Sequence, residues 1–188
     1  MDFFAPLTED RIVEPDGPRE LPSPMIPGLS QQRAVLYRRD DLVVAAYRFE
    51  VVPEGFHFTI QLEGRGFGHG RFHFIFTPGP GWPPEDPIDE NLYDEVDDMF
   101  RLGLSFSDRT TSEYLVESDR DGPTIETAGC TGSPGSVEGR FWIPELPPPG
   151  EFTLHITWPS AGIEETSTTF NADEIRERAK EAELLLSH

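Results

Sequence analysis

Three histidines fall close together in this chain, His57, His69 and His73, with carboxylates nearby. Imidazole nitrogens and carboxylate oxygens are the donors of a catalytic metal site, so a metal-dependent enzyme is the first chemistry to weigh. His57 and His73 sit on the polar faces of two expected strands. If Leu62 pairs with Phe72, His73 lies opposite Gln61 and His57 is about 13 Å further along. Both could not then hold one ion. A shorter turn would shift the register and set the two rings opposite each other, and the glycines between them permit it. The competing reading is a pair of exposed cross-strand polar residues. No histidine is therefore assigned as a metal ligand, and no cofactor is expected.

Other groups offer less. Glu85–Asp98 holds eight carboxylates, yet an EF-hand loop needs a glycine at its sixth position and Asp89–Asp98 has none. Asp94, Glu95, Asp97 and Asp98 read instead as a contact for a basic partner. Arg65-Gly-Phe-Gly-His-Gly-Arg-Phe72 matches an RNA-binding pattern at five positions but fails at His69 and Gly70. Two strands also precede it directly, where that module has a helix. Trp82, in a Pro-Gly loop, could stack on a sugar or small ligand. Cys130 has no expected activating base and reads as inert. No nucleophile elbow, phosphate loop, zinc-protease or nucleotide motif occurs, so no catalytic residue is named.

The elements that would carry these groups are mostly strands. Residues 1–33 are proline-rich and read as an extended arm. Its apolar residues argue against a solvated tail. Phe3 and Phe4 pack on the arm's own domain or anchor a partner. Ala34–Tyr37 and Leu42–Val52 are expected core strands, the second with one unbroken alternation. Pro53-Glu54-Gly55 is a hairpin turn. Phe56, Phe58, Ile60 and Leu62 then alternate with His57, Thr59, Gln61 and Glu63. Phe72–Phe76, Met99–Phe106 and Tyr114–Val116 read as further strands, and the run from Arg140 to Phe170 holds two or three more, cut by proline and glycine turns. The glycine-rich stretch 118–139 reads as an irregular insert. Asn171 and Glu174 open a helix over 172–188 with the stripe Ile175, Ala179, Ala182 and Leu186.

Many short strands with antiparallel turns predict an antiparallel two-sheet β-sandwich, with Ig-like topology as the nearest common form. The domain is expected over 34–171, between the arm and the packed C-terminal helix. With 188 residues the chain is long enough for one real core, and 14 phenylalanines supply much of it. The net charge of -20 repels phosphate backbones, which disfavours nucleic acid and suits a basic protein surface. A single cysteine rules out a disulfide within the chain. No basic-apolar leader and no long apolar run occurs, so a cytoplasmic protein is expected, with no membrane contact.

One resemblance follows from the ordered motifs. Asp98-Met-Phe-Arg-Leu-Gly-Leu-Ser-Phe-Ser-Asp-Arg-Thr-Thr111, then Phe141-Trp142, Leu146-Pro-Pro-Pro-Gly150 and Trp158-Pro-Ser-Ala-Gly-Ile163, are similar to a family of small uncharacterised actinobacterial proteins. The likeness runs over about residues 43–62 and 98–186. Arg109 stands where that family usually has glycine, and Thr157 where it usually has an acid. The resemblance implies a shared domain layout and no activity. The reading is therefore a non-enzymatic acidic interaction or structural protein, contacting a basic partner or a second copy of itself. A small-ligand or carbohydrate-binding module is the alternative, and a metal-dependent enzyme the next.

Overall fold

The computed structural model describes residues 3–5, 25–65, 100–114, 122–133 and 135–185. Twelve strands occur among them: β1 (Met25–Ile26), β2 (Gly28–Ser30), β3 (Ala34–Arg39), β4 (Leu42–Val52), β5 (Gly55–Gly64), β6 (Arg101–Phe106), β7 (Thr111–Glu113), β8 (Glu126–Ser133), β9 (Ser136–Ile143), β10 (Glu151–Trp158), β11 (Ile163–Asn171) and β12 (Glu183–Leu184). One helix, α1, covers Ala172–Ala179. All strand pairs are antiparallel. The larger sheet runs β2-β4-β5-β9-β8, with β3 also on β4. The smaller runs β11-β10-β6-β7, and β1 pairs with β12 apart from both.

The chain is thus a mainly β sandwich, and phenylalanine joins its two layers. Phe49 and Phe56 of the larger sheet meet Phe152 of the smaller at ring separations of 6.1 and 5.7 Å. Phe58, Ile60, Leu62, Leu102, Leu104 and Leu154 fill the space around them and are fully buried. Burying a side chain of this size stabilises by about 1.5–3 kcal/mol each, so this layer outweighs the surface ion pairs, which contribute roughly 0–1 kcal/mol apiece.

Several expectations change here. Strand β4 does not keep one alternation. Leu42, Val44 and Ala46 face the core, then a bulge between Tyr47 and Glu50 moves the core positions to Phe49 and Val51. Arg48, in the bulge, has φ of 54°. Of the strand expected at Tyr114–Val116, Tyr114 is a turn residue just after β7, and residues 115–116 lie outside the described residues. The supposed irregular insert 118–139 contains β8 and the start of β9, a strand paired on both sides. Its glycines and hydroxyl side chains lie in a ladder, where partner strands rather than side-chain burial fix the backbone. Helix α1 starts as expected and stops at Ala179, well short of 188. Beyond it Glu183 and Leu184 pair with Ile26 and Met25. Met25–Ile26 and Gly28–Ser30, read as part of the arm, are likewise strand-paired.

The cap of α1 is half the expected box. The Asn171 side chain accepts from the Glu174 N–H at 3.0 Å. Glu174 turns away and accepts from the Ser30 hydroxyl at 2.7 Å, tying the helix to β2. No helix among the described residues is long and apolar enough to cross a membrane.

Candidate functional site

The outer face of the smaller sheet is built from alternate residues of β6 and β10. Inward go Leu102, Leu104, Leu154 and Ile156. Outward go Arg101, Gly103 and Ser105 from β6 and His155 from β10, because successive strand side chains point to opposite faces. The missing side chain of Gly103 leaves a depression directly opposite His155. Phe3 fills it. A Cβ on Gly103 would come within 2.1 Å of the Phe3 ring, so only glycine lets the ring lie flat there. That ring stacks on the His155 imidazole at 4.1 Å and 10°.

Polar contacts fix the rest of the segment. The Phe3 N–H meets both Glu165 carboxylate oxygens at 2.9 Å, and the Phe4 N–H donates to one of them at 3.2 Å. Arg101 Nη1 donates to the Ala5 carbonyl at 2.7 Å, and its guanidinium lies 4.8 Å from the Phe4 ring centre. Arg101 is itself held by Glu113 through Nε at 2.7 Å. The side chain of Glu113 is almost wholly buried. Three main-chain groups of residues 3–5 are thus read by two charged side chains. Charge-assisted bonds of this kind are roughly twice as strong as neutral ones.

His155 Nε2 also lies 2.8 Å from the Ser105 hydroxyl. A hydroxyl and an imidazole at that distance can act as nucleophile and base. Acyl transfer also needs donors aimed at the developing oxyanion. Both residues sit on regular paired strands, whose N–H groups lie in the sheet plane and point along the ladder rather than out of the face. The arrangement is suited to gripping an extended peptide, with no main-chain oxyanion donor supplied by β6 or β10.

A second polar locus lies on the outer face of the larger sheet. Glu50, His57, Trp142 and Glu126 form one cross-strand row over β4, β5, β9 and β8. His57 is not the exposed polar residue expected for this face. It is only 2% exposed, with its ring 4.6 Å from that of Trp142. Burial, and then the charge of Arg140, pull its pKa down to about 4. The Phe141 backbone pulls weakly the other way without reaching hydrogen-bond geometry, since both ring nitrogens of His57 and the buried Thr59 hydroxyl have no hydrogen-bond partner among the described residues. Arg140 is paired with Glu50. Among the described residues no three histidine, cysteine or acidic side chains converge on one point.

Of the residues singled out from sequence, Phe3 and Phe4 are in the groove. Trp82, His69, His73, Asp94, Glu95, Asp97 and Asp98 lie outside the described residues, as do the RNA-motif-like turn beyond Arg65 and the strand expected at Phe72–Phe76. Cys130 is half-buried, and burial, then Glu138, raise its thiol to about 11. Sequence reading missed Gly103, His155, Glu165 and Arg101. The alternation of β6 and β10 marks the outward positions, but no local signal says that residue 3 would return to them.

Comparison with family models, with curated proteins and with solved structures finds no match to this chain.

Proposed function

We propose that this protein is a non-enzymatic interaction protein of the cytoplasm, and that the groove over Gly103 is its peptide-binding surface. The observation that carries this reading is the capture of two successive backbone N–H groups, Phe3 and Phe4, by the single carboxylate of Glu165. Arg101 adds the next carbonyl. The site therefore grips main chain, and uses two aromatic rings for affinity. In this state the chain's own residues 3–5 occupy it. A partner would displace them with an extended segment carrying an adjacent aromatic pair. With a net charge of -20, a protein of basic surface fits best and a phosphate backbone poorly.

The test uses the full chain. Phe3→Ala with Phe4→Ala removes both rings that anchor the chain's own segment, and so weakens its hold on the groove without altering the walls. A fluorescent peptide of residues 1–7, Met-Asp-Phe-Phe-Ala-Pro-Leu, is then titrated by anisotropy. It is expected to bind the double variant at least ~10-fold more tightly than wild type, because a tethered segment competes at about millimolar effective concentration. Adding Glu165→Ala is expected to abolish that binding. Equal, or absent, binding by wild type and double variant would remove the groove as a binding surface.

A further inference from the structure

A main-chain N–H carries one hydrogen, and a carboxylate offers two oxygens. In the groove over Gly103 the Phe3 nitrogen lies 2.9 Å from both oxygens of Glu165, so its one hydrogen is shared between them. One of these oxygens also accepts from the Phe4 N–H at 3.2 Å. The carboxylate has more acceptor capacity here than an amide uses. Its charge is not offset either. Among the described residues no cation pairs with Glu165. Arg101 is committed elsewhere, to Glu113 on β7 and to the Ala5 carbonyl.

We infer that the partner of this groove is a polypeptide whose own unblocked amino terminus is an aromatic residue followed by a second one, with its α-ammonium held where the Phe3 N–H now sits. The inference rests on the peptide-groove reading above and narrows it. An ammonium brings three donors and a full charge. Two of its hydrogens can each take one Glu165 oxygen, and bonds between charged partners are the stronger kind. The next N–H and the carbonyl after it keep the contacts that Phe4 and Ala5 make with Glu165 and Arg101. Capture of a terminal amine is an established mode of peptide recognition.

The walls set the two side chains. The first must be a flat ring, because its place lies over Gly103 and against the His155 imidazole at 4.1 Å and 10°. The second lies 4.8 Å from the Arg101 guanidinium, which attracts the face of a ring. A net charge of -20 draws a cationic terminus towards the protein. The chain's own segment is an incomplete occupant by this measure. It supplies the rings and the main chain, with an amide in place of the ammonium, and a true terminus can therefore displace it.

The other charged or titratable groups around the position are Glu164, next to Glu165 on β11, His155 on β10, Arg101 on β6 and Glu113 on β7. An α-amino group loses its proton near pH 7.7–8.0, far above the carboxylates and far below arginine. Pairing with Glu165 raises that value in the complex. Affinity is therefore full below about pH 8 and falls above it.

The test titrates carboxyl-end-labelled peptides by anisotropy into the full-length Phe3→Ala, Phe4→Ala protein. The peptides are Phe-Phe-Ala-Pro-Leu with a free amino terminus, the same peptide acetylated, and acetylated Met-Asp-Phe-Phe-Ala-Pro-Leu. The free peptide is expected to bind about fivefold or more tightly than either acetylated one, the size of a well-placed exposed ion pair. That advantage is expected to shrink at pH 9.5, with the acetylated peptides reporting any titration of the protein itself, His155 included. Adding Glu165→Gln is expected to bring the ratio of free to acetylated affinity to about one. Acetylated peptides that bind as tightly as the free one overturn this inference and leave the groove as a reader of internal segments. An advantage that survives Glu165→Gln overturns it too. If no peptide binds, the groove reading itself falls, and this inference with it.

Discussion

His57 shows how far a single side chain can depart from what its strand position suggests. It alternates with core phenylalanines, which marks the outer face of β5, but β5 is covered there by Trp142 from β9. A neutral imidazole is the only form this environment tolerates, so its pKa falls from 6.5 to about 4. In the unfolded chain it titrates normally. Between these two values the unfolded state binds more protons, so stability is full above about pH 6.5 and declines as pH falls towards 4. Each pH unit in that window removes about 1.4 kcal/mol. Urea unfolding at pH 7.5 and pH 5.0 is therefore expected to show wild type losing ~2 kcal/mol more than His57→Phe, which cannot be protonated. The same loss in both proteins would mean that other groups set the pH dependence. Arg109 departs in a different way. Its φ of 75° is left-handed, in the tight loop where the Phe106 carbonyl accepts its N–H at 3.0 Å. That conformation suits glycine better than arginine, so the loop and not the residue's own preference holds Arg109 there.

Elements were legible where side chains declare a period. The β4–β5 hairpin could be read from Pro53-Glu54-Gly55 and from the alternation of Phe56, Phe58, Ile60 and Leu62. The parity change at Arg48 could not, because a bulge adds a residue without changing composition. Strand β8 was invisible for the opposite reason: Gly129, Cys130, Thr131, Gly132 and Ser133 carry no period, and pairing with β9 alone holds them extended. The helix start was legible in Asn171 and its end was not, since β12 forms by pairing with β1 nearly 160 residues away in sequence. The groove was half legible. Phe3 and Phe4 stood out as apolar residues in a proline-rich arm, while Gly103, His155 and Glu165 are brought together only by the register of β6, β10 and β11. The N-cap offers a direct check on the element that could be read. Asn171→Ala removes the acceptor for the Glu174 N–H and is expected to lower stability by about 1 kcal/mol. Chemical denaturation with an unchanged m-value measures it. A loss well beyond 2 kcal/mol would show that the Asn171 side chain does more than cap, because its backbone N–H, which donates to the Gln32 side chain at 2.6 Å, survives the substitution.

At the scale of the molecule, charge and core oppose each other. The phenylalanine layer shared by both sheets makes them one cooperative unit, and a net charge of -20 strains that unit by self-repulsion. Salt then acts on two equilibria with opposite signs. It screens repulsion within one copy, so the melting temperature is expected to rise between 20 and 200 mM NaCl. It also screens attraction to a basic partner, so a complex made through exposed carboxylates weakens. The first of these separates surface charge from core packing. Phe152→Ala empties the centre of the layer and is expected to cost about 3–5 kcal/mol, yet to leave the slope of melting temperature against log salt unchanged, because no charge is altered. Calorimetry across a salt series on wild type and Phe152→Ala checks both parts. A melting temperature that stays flat or falls with salt would mean that the carboxylates are locally neutralised in the folded chain, through pairs such as Arg101 with Glu113 and Arg140 with Glu50. The acidic surface would then have little long-range field left to attract a basic protein, and recognition would rest on the aromatic and main-chain contacts of the groove alone.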